Sequence, residues 1–146
     1  MSDFSVFPEL HFLVVDDIPL MRRIAVVSLR ALGYTNVSEA GDGEQALKLL
    51  WPADTSAVPI NFIITDWSMP VMDGIALLRT IRARADLKHL PVLMVSAQAE
   101  EDTPIAAAIR AGADGYLAKP LNAAALKKTL DAILVKRGCG ALNSTC

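Results

Sequence analysis

Phe62-Ile63-Ile64-Thr65-Asp66-Trp67-Ser68-Met69-Pro70 is the stretch on which the fold turns. A run of apolar and β-branched residues ends abruptly in one carboxylate, and turn chemistry follows at Met69-Pro70 and Met72-Asp73-Gly74. A short apolar run bounded by breakers reads as a fully buried strand. Asp66 then stands at the strand's carboxyl end, where open α/β sheets place their ligand sites. Aspartate is also a common turn residue, so Asp66 alone reads equally well as a turn cap. The other strand ends decide between the two.

Outward from this strand the pattern repeats. His11-Phe12-Leu13-Val14-Val15 is a buried strand ending in Asp16-Asp17. Pro19 suits a first helical turn. Leu20, Ile24, Val27 and Ala31 recur at helical spacing, and Gly33 closes the helix. Asn36-Val37-Ser38-Glu39-Ala40 is a short strand, and Asp42-Gly43 turns into a helix carrying Ala46, Leu47 and Leu50 that Pro52 ends. Residues 52–59 form a loop.

Beyond Asp66, Asp73 is an N-cap for a helix whose faces are set by Ile75, Leu78 and Ile81 or Arg82. Pro91-Val92-Leu93-Met94-Val95 is a strand ending in Ser96. Thr103-Pro104 opens another helix and Gly112 stops it. Gly115-Tyr116-Leu117-Ala118 is a fifth strand, ending in Lys119-Pro120. Asn122 caps a last helix with Leu126, Leu130 and Ile133 inward, and Lys136 and Arg137 lie at its C-terminus, where cations suit the helix dipole. Strands that alternate with helices give an α/β fold, a parallel sheet covered on both faces. The expected organisation is a loose lead-in at 1–9, one domain over 10–137 and a tail at 138–146.

The chain has 146 residues, enough for one domain with a proper core. Hydrophobic content of 53% with 21% charged residues suits a globular protein and excludes a disordered one. A net charge of −2 argues against a nucleic-acid surface. No apolar run has the roughly 20 residues of a membrane helix, and the N-terminus lacks a signal-peptide pattern. A cytoplasmic protein is the simplest expectation. Cys139 and Cys146 read as a reduced pair in the tail, and two cysteines alone do not make a zinc site. His11 and His89 have no partner pattern and read as structural.

In a parallel sheet all strand carboxyl ends share one edge, so Asp16, Asp17, Asp66, Ser96 and Lys119 can converge. Each has an ordinary use: Asp17 as a helix cap, Ser96 as a turn serine, Lys119 as a solvated charge. Together they are far more specific. Three carboxylates raise one another's pKa values, and a divalent cation relieves that cost. Oxygen-only ligands point to magnesium, which favours carboxylates plus a phosphate. Lys119 adds a compact positive charge and Ser96 a hydroxyl. Such a set suits phosphoryl transfer onto a carboxylate.

On Phe12 to Asp17, Met21-Arg22-Arg23-Ile24, Thr65 to Pro70, Met72-Asp73-Gly74, Leu90 to Ala97, Ala111 to Tyr116 and Lys119-Pro120, the sequence resembles a response-regulator receiver domain. It closely resembles the single-domain members that serve chemotaxis. The resemblance implies a flavodoxin-like (βα)5 three-layer sandwich with strand order 2-1-3-4-5. It implies Asp66 as phosphoacceptor, and magnesium held by Asp16, Asp17, Asp66 and the backbone carbonyl of Ser68. Lys119, Ser96 and Ala97 would bind the phosphoryl group, with Ser96 and Tyr116 as a coupled switch. Ser68 and Gln98 border the attacking water and would tune dephosphorylation. The implied partners are a histidine kinase of the CheA type and an output protein such as a flagellar motor switch protein, bound by a monomer. The output face combines the helix near 104–111, the fifth strand and the last helix. Glu100, Glu101 and Pro104 stand at the start of that face, which keeps open the alternative of a phosphate sink or relay that does not bind the motor.

Other classes fit less well. A haloacid-dehalogenase type of enzyme needs a second aspartate two residues past the acceptor, where this chain has Ser68. A P-loop NTPase needs G-x-x-x-x-G-K-[ST], which is absent. A transcription factor needs a DNA-binding domain after the last helix, for which no room is expected.

Overall fold

A computed structural model describes residues 10–50, 59–67, 69, 71–96, 109, 111–119 and 121–136. Five strands, β1 (Phe12–Val15), β2 (Val37–Ala40), β3 (Phe62–Asp66), β4 (Val92–Ser96) and β5 (Gly115–Ala118), form one sheet in the order β2-β1-β3-β4-β5. Every pairing is parallel. The helices are α1 (Pro19–Ala31), α2 (Gly43–Leu50), α3 (Gly74–Ala83) and α4 (Ala123–Lys136). Ile109 and Ala111 are also helical, and Gly112 follows at φ +104°. Thr103 and Pro104, the expected start of that helix, lie outside the described residues, as do Pro52 and the tail.

The sheet separates two cores. Leu13, Val15, Ile63, Val92 and Met94 pack with Leu77, Leu78 and Ile81 of α3 and Ala46 of α2. Phe12, Val14, Phe62, Ile64, Leu93 and Val95 pack with Ala25, Val26 and Leu29 of α1 and Leu126, Leu130 and Ile133 of α4. Residues alternate between the two because successive side chains of a strand point to opposite faces. β1, β3 and β4 are buried along their whole length, which is why they read as unbroken apolar runs.

The helix ends follow the sequence chemistry. Asp73 accepts from Ala76 N–H at 2.9 Å and Asn122 from Ala125 N–H at 2.8 Å. Gly33, at φ +99°, donates to the Arg30 carbonyl while Tyr34 N–H reaches Leu29 O at 3.0 Å. That pair of bonds closes α1 in a left-handed turn that favours glycine.

One face differs from the expected stripe. Leu20 is 64% and Val27 53% exposed, and α1 buries Ala25, Val26, Ser28 and Leu29 instead. Apolar residues occupy nearly every face of this helix, so spacing alone cannot say which stripe turns inward.

At the sheet edge away from Asp66, Arg82 gathers the chain. Its guanidinium donates to the carbonyls of Leu90 (2.6 Å) and Gly112 (3.0 Å) and pairs with Asp114 at 2.9 Å. Asp114 also accepts from Val92 N–H at 2.8 Å. This clamp holds the entries to β4 and β5, and with them the register that delivers Ser96 and Lys119 to the opposite edge.

Candidate functional site

The register fixes where the chemistry collects. Val15 pairs with Thr65, so Asp16 leaves β1 beside Asp66, the last residue of β3. Ser96 pairs with Ala118, and Lys119 N–H donates to the Ser96 carbonyl at 3.0 Å. Each strand therefore ends within one residue of its neighbour, and the side chains beyond it gather at one edge.

Asp16, Asp17 and Asp66 bring carboxylate oxygens within 4.8 Å of one another. Lys119 Nζ donates to Asp16 Oδ2 at 2.8 Å and lies 3.2 Å from Asp66 Oδ1. Asp66 Oδ1 also accepts the Trp67 N–H at 2.9 Å. Two donors thus fix one oxygen of Asp66 and leave Oδ2 without a donor among the described residues.

Burial pushes the Asp66 carboxyl above the usual carboxylate range; Lys119 pulls it down, and Asp16 pushes it up again. Burial alone would lower the Lys119 ammonium, but its hydrogen bond to Asp16 and the charges of Asp66 and Asp16 outweigh that and raise it. Lys119 is therefore charged at neutral pH, and burial makes the ionised form of Asp66 costly.

Asp17 does not cap α1. The N-cap is Ile18, with no side-chain cap bond, and Asp16 Oδ1 accepts the Ile18 N–H at 2.9 Å. Asp17 is left at the rim with its Oδ1 buried and accepting no hydrogen bond among the described residues. An orphaned carboxylate oxygen among three acidic side chains is unfavourable without a cation. The all-oxygen donor set fits a hard divalent ion, magnesium or calcium.

Ser96 and Tyr116 sit differently. Ser96 is 2% exposed. By register it shares a sheet face with Met94 and Tyr116, whereas Asp66 shares the opposite face with Ile64 and Val95. Tyr116 packs on the α2–α3 core, and its hydroxyl is buried without a partner among the described residues. Ser68, Ala97, Gln98 and Pro120 lie outside the described residues.

Two contributors are not singled out by strand-end reasoning. A Cβ on Gly74 would collide with the Asp66 backbone carbonyl, and Gly74 N–H donates to Trp67 O at 2.9 Å. Arg22 donates to the Asp16 carbonyl at 2.7 Å. A signal existed for each: glycine directly after an N-cap permits close backbone approach, and an arginine near a helix N-terminus opposes the dipole, so it needs a local acceptor.

Residues 12–131 match the family model for the response regulator receiver domain. The chain belongs to that family, whose members are signalling phosphoacceptors rather than conventional enzymes. Among its relatives, the chemotaxis protein CheY-3 of Vibrio cholerae is 49% identical over 125 residues, covering 86% of this chain and 92% of that protein. The chemotaxis protein CheY of Pseudomonas aeruginosa is 48% identical over 124 residues, covering 85% and 95%. The structure of CheY4 from Vibrio cholerae superposes with a TM-score of 0.75 at 31% identity, over 87% of this chain and 100% of that one. Among the described residues, no helix is long and apolar enough to cross a membrane.

Proposed function

We propose that this protein is a cytoplasmic two-component response regulator of the chemotaxis type that takes a phosphoryl group onto Asp66. The observation that carries this reading is the placement of Lys119 across Asp16 and Asp66, at 2.8 and 3.2 Å, beside an oxygen of Asp17 that has no partner among the described residues. Asp66 Oδ2, left open while Trp67 N–H and Lys119 hold Oδ1, is the attacking atom. Its lone pair forms a bond to the phosphorus of a phosphohistidine on a CheA-like kinase. The phosphorus–nitrogen bond breaks, and the donor imidazole keeps the electron pair and takes a proton from water.

Asp16, Asp17 and Asp66 would hold magnesium, and the Ser68 carbonyl would be a further ligand. Magnesium supplies charge neutralisation for the incoming phosphoryl oxygens. Lys119, fixed by two carboxylates, is free to turn its ammonium toward a phosphoryl oxygen once Asp66 is esterified. Asp66 is buried at 7% exposure, which limits the water that can reach the acyl phosphate, and Ser68 and Gln98 set how much does.

Ser96 is one strand away from Asp66 and on the face of Tyr116, so a phosphoryl oxygen that draws the serine hydroxyl disturbs the packing around the ring. The buried hydroxyl of Tyr116, without a partner among the described residues, gives the ring a reason to move. The resulting change in the face formed by the helix that holds Ile109 and Ala111, β5 and α4 alters affinity for an output protein, a motor switch protein in the first instance.

The test uses a small phosphodonor with magnesium. The parent is expected to become labelled, Asp66→Asn to stay unlabelled, and Asp17→Asn to need more magnesium. Equal labelling of all three, independent of magnesium, would overturn the reading.

A further inference from the structure

Asp16 is bonded in four directions. Its N–H donates to the Ala40 carbonyl at 3.1 Å, Oδ1 accepts from Ile18 N–H, Oδ2 accepts from Lys119, and its own carbonyl accepts from Arg22 Nη1 at 2.7 Å. The last bond differs in kind from the others. The carbonyl of Asp16 belongs to the peptide that leads into Asp17, so the direction of that carbonyl sets the plane from which the Asp17 side chain departs. Arg22 is in turn held by Glu39 of β2, Nε to Oε1 at 3.0 Å, with the two side chains 23% and 41% exposed. A planar fork with one arm on a carboxylate and one on a carbonyl is a rigid brace.

We infer that Arg22, oriented by Glu39, is a positioning residue for the acidic site: it fixes the Asp16–Asp17 peptide so that the Asp17 carboxylate faces the cation. The inference rests on the cation reading given above. Charge and positioning make opposite demands on Arg22. As a positive charge beside three carboxylates it opposes a cation, and its removal would by charge alone tighten binding. As a brace it aids binding, and its removal weakens it. Outer-shell partners of metal ligands commonly contribute on the order of tenfold in affinity.

The experiment is a magnesium titration of the full chain, followed by tryptophan fluorescence, since Trp67 adjoins Asp66, with a thermal melt of each variant to establish that it is folded. Arg22→Ala is expected to weaken magnesium affinity about tenfold. Arg22→Lys, whose ammonium can still reach the Asp16 carbonyl, is expected to recover at least half of that loss on a logarithmic scale. Unchanged or tighter binding by Arg22→Ala overturns the inference, and so does an equal loss in Arg22→Lys, which would trace the effect to the fold. Should Arg22→Ala fail to fold, Arg22→Met keeps the aliphatic stem and carries the same expectation. Asp17→Asn separates the two readings: if it binds magnesium as the parent does, the cation site itself is misassigned; if it loses binding while Arg22→Ala keeps it, only the role of Arg22 falls.

Discussion

Burial makes the ionised form of Asp66 costly. Burial raises its folded pKa above the value in the unfolded chain, so the folded state binds the proton more tightly. The stabilising contribution is present below the ordinary carboxylate range and is lost as pH rises through the raised value. At neutral pH the carboxylate therefore strains the magnesium-free protein. Asp66→Asn is expected to melt several degrees higher than the parent at pH 7 without magnesium, and the gain should vanish below about pH 4. A variant that is less stable than the parent at pH 7 would contradict this. Lys119 works in the other sense, since its raised pKa reflects pairing with two carboxylates. Lys119→Ala leaves those carboxylates facing each other and should cost about 3 kcal/mol in urea denaturation, in part restored by magnesium. A cost under about 1 kcal/mol would mean that the pair is solvated and worth what surface pairs are worth. At this scale the site was largely legible: Asp16, Asp17, Asp66 and Lys119 are strand-end residues, and strand ends are visible as breaks in apolar runs. Arg22 was less so: its place near a helix N-terminus calls for a local acceptor, but no spacing says that the acceptor is the Asp16 carbonyl.

The elements were legible where one signal dominates. β5 lies at Gly115–Ala118 as read, and Leu126, Leu130 and Ile133 are the buried residues of α4. α1 was legible as a helix but not in orientation, because two apolar stripes compete and the tertiary partners choose. The joint between β3 and α3 belongs to the same scale. Gly74 begins α3 with its backbone against the Asp66 carbonyl, so the helix can start only where no Cβ intrudes. Gly74→Ala must shift either the helix or the strand end. Overpacking of this kind costs about 1–3 kcal/mol, and here it should also slow labelling of Asp66, because the displaced atom belongs to the acceptor itself. Chemical denaturation alongside phosphodonor labelling checks both, and normal labelling in a destabilised variant would separate the joint from the chemistry.

For the whole molecule, alternation of strands and helices was enough to give a covered parallel sheet, and the resemblance gave the strand order that the structure shows. The output surface was less legible, since a partner's chemistry is not written in the fold. Lys127 of α4 pairs with Asp131 at 2.7 Å, so an acidic side chain offsets its charge on that helix. Glu100 and Glu101 add negative charge in the sequence just before the helical residues Ile109 and Ala111. Like charges across an interface cost affinity and slow encounter. We therefore expect weak binding of an acidic motor-type peptide by the beryllofluoride-activated protein, improved by Glu101→Lys and more so at low salt. Calorimetry at two salt concentrations decides it; tight binding by the parent with no effect of Glu101→Lys would mark an ordinary motor-binding face.

The central claim is that one carboxylate, Asp66, takes the phosphoryl group, and its most direct test is reductive trapping. The protein is incubated with a small phosphodonor and magnesium, treated with borohydride and digested. Borohydride reduces an aspartyl phosphate to homoserine and leaves free carboxylates intact. Homoserine is expected at position 66 alone, and only when magnesium and the phosphodonor are both present. Homoserine at Asp16 or Asp17 with Asp66 unchanged, or an unmodified digest from a protein that has been labelled, would contradict the claim.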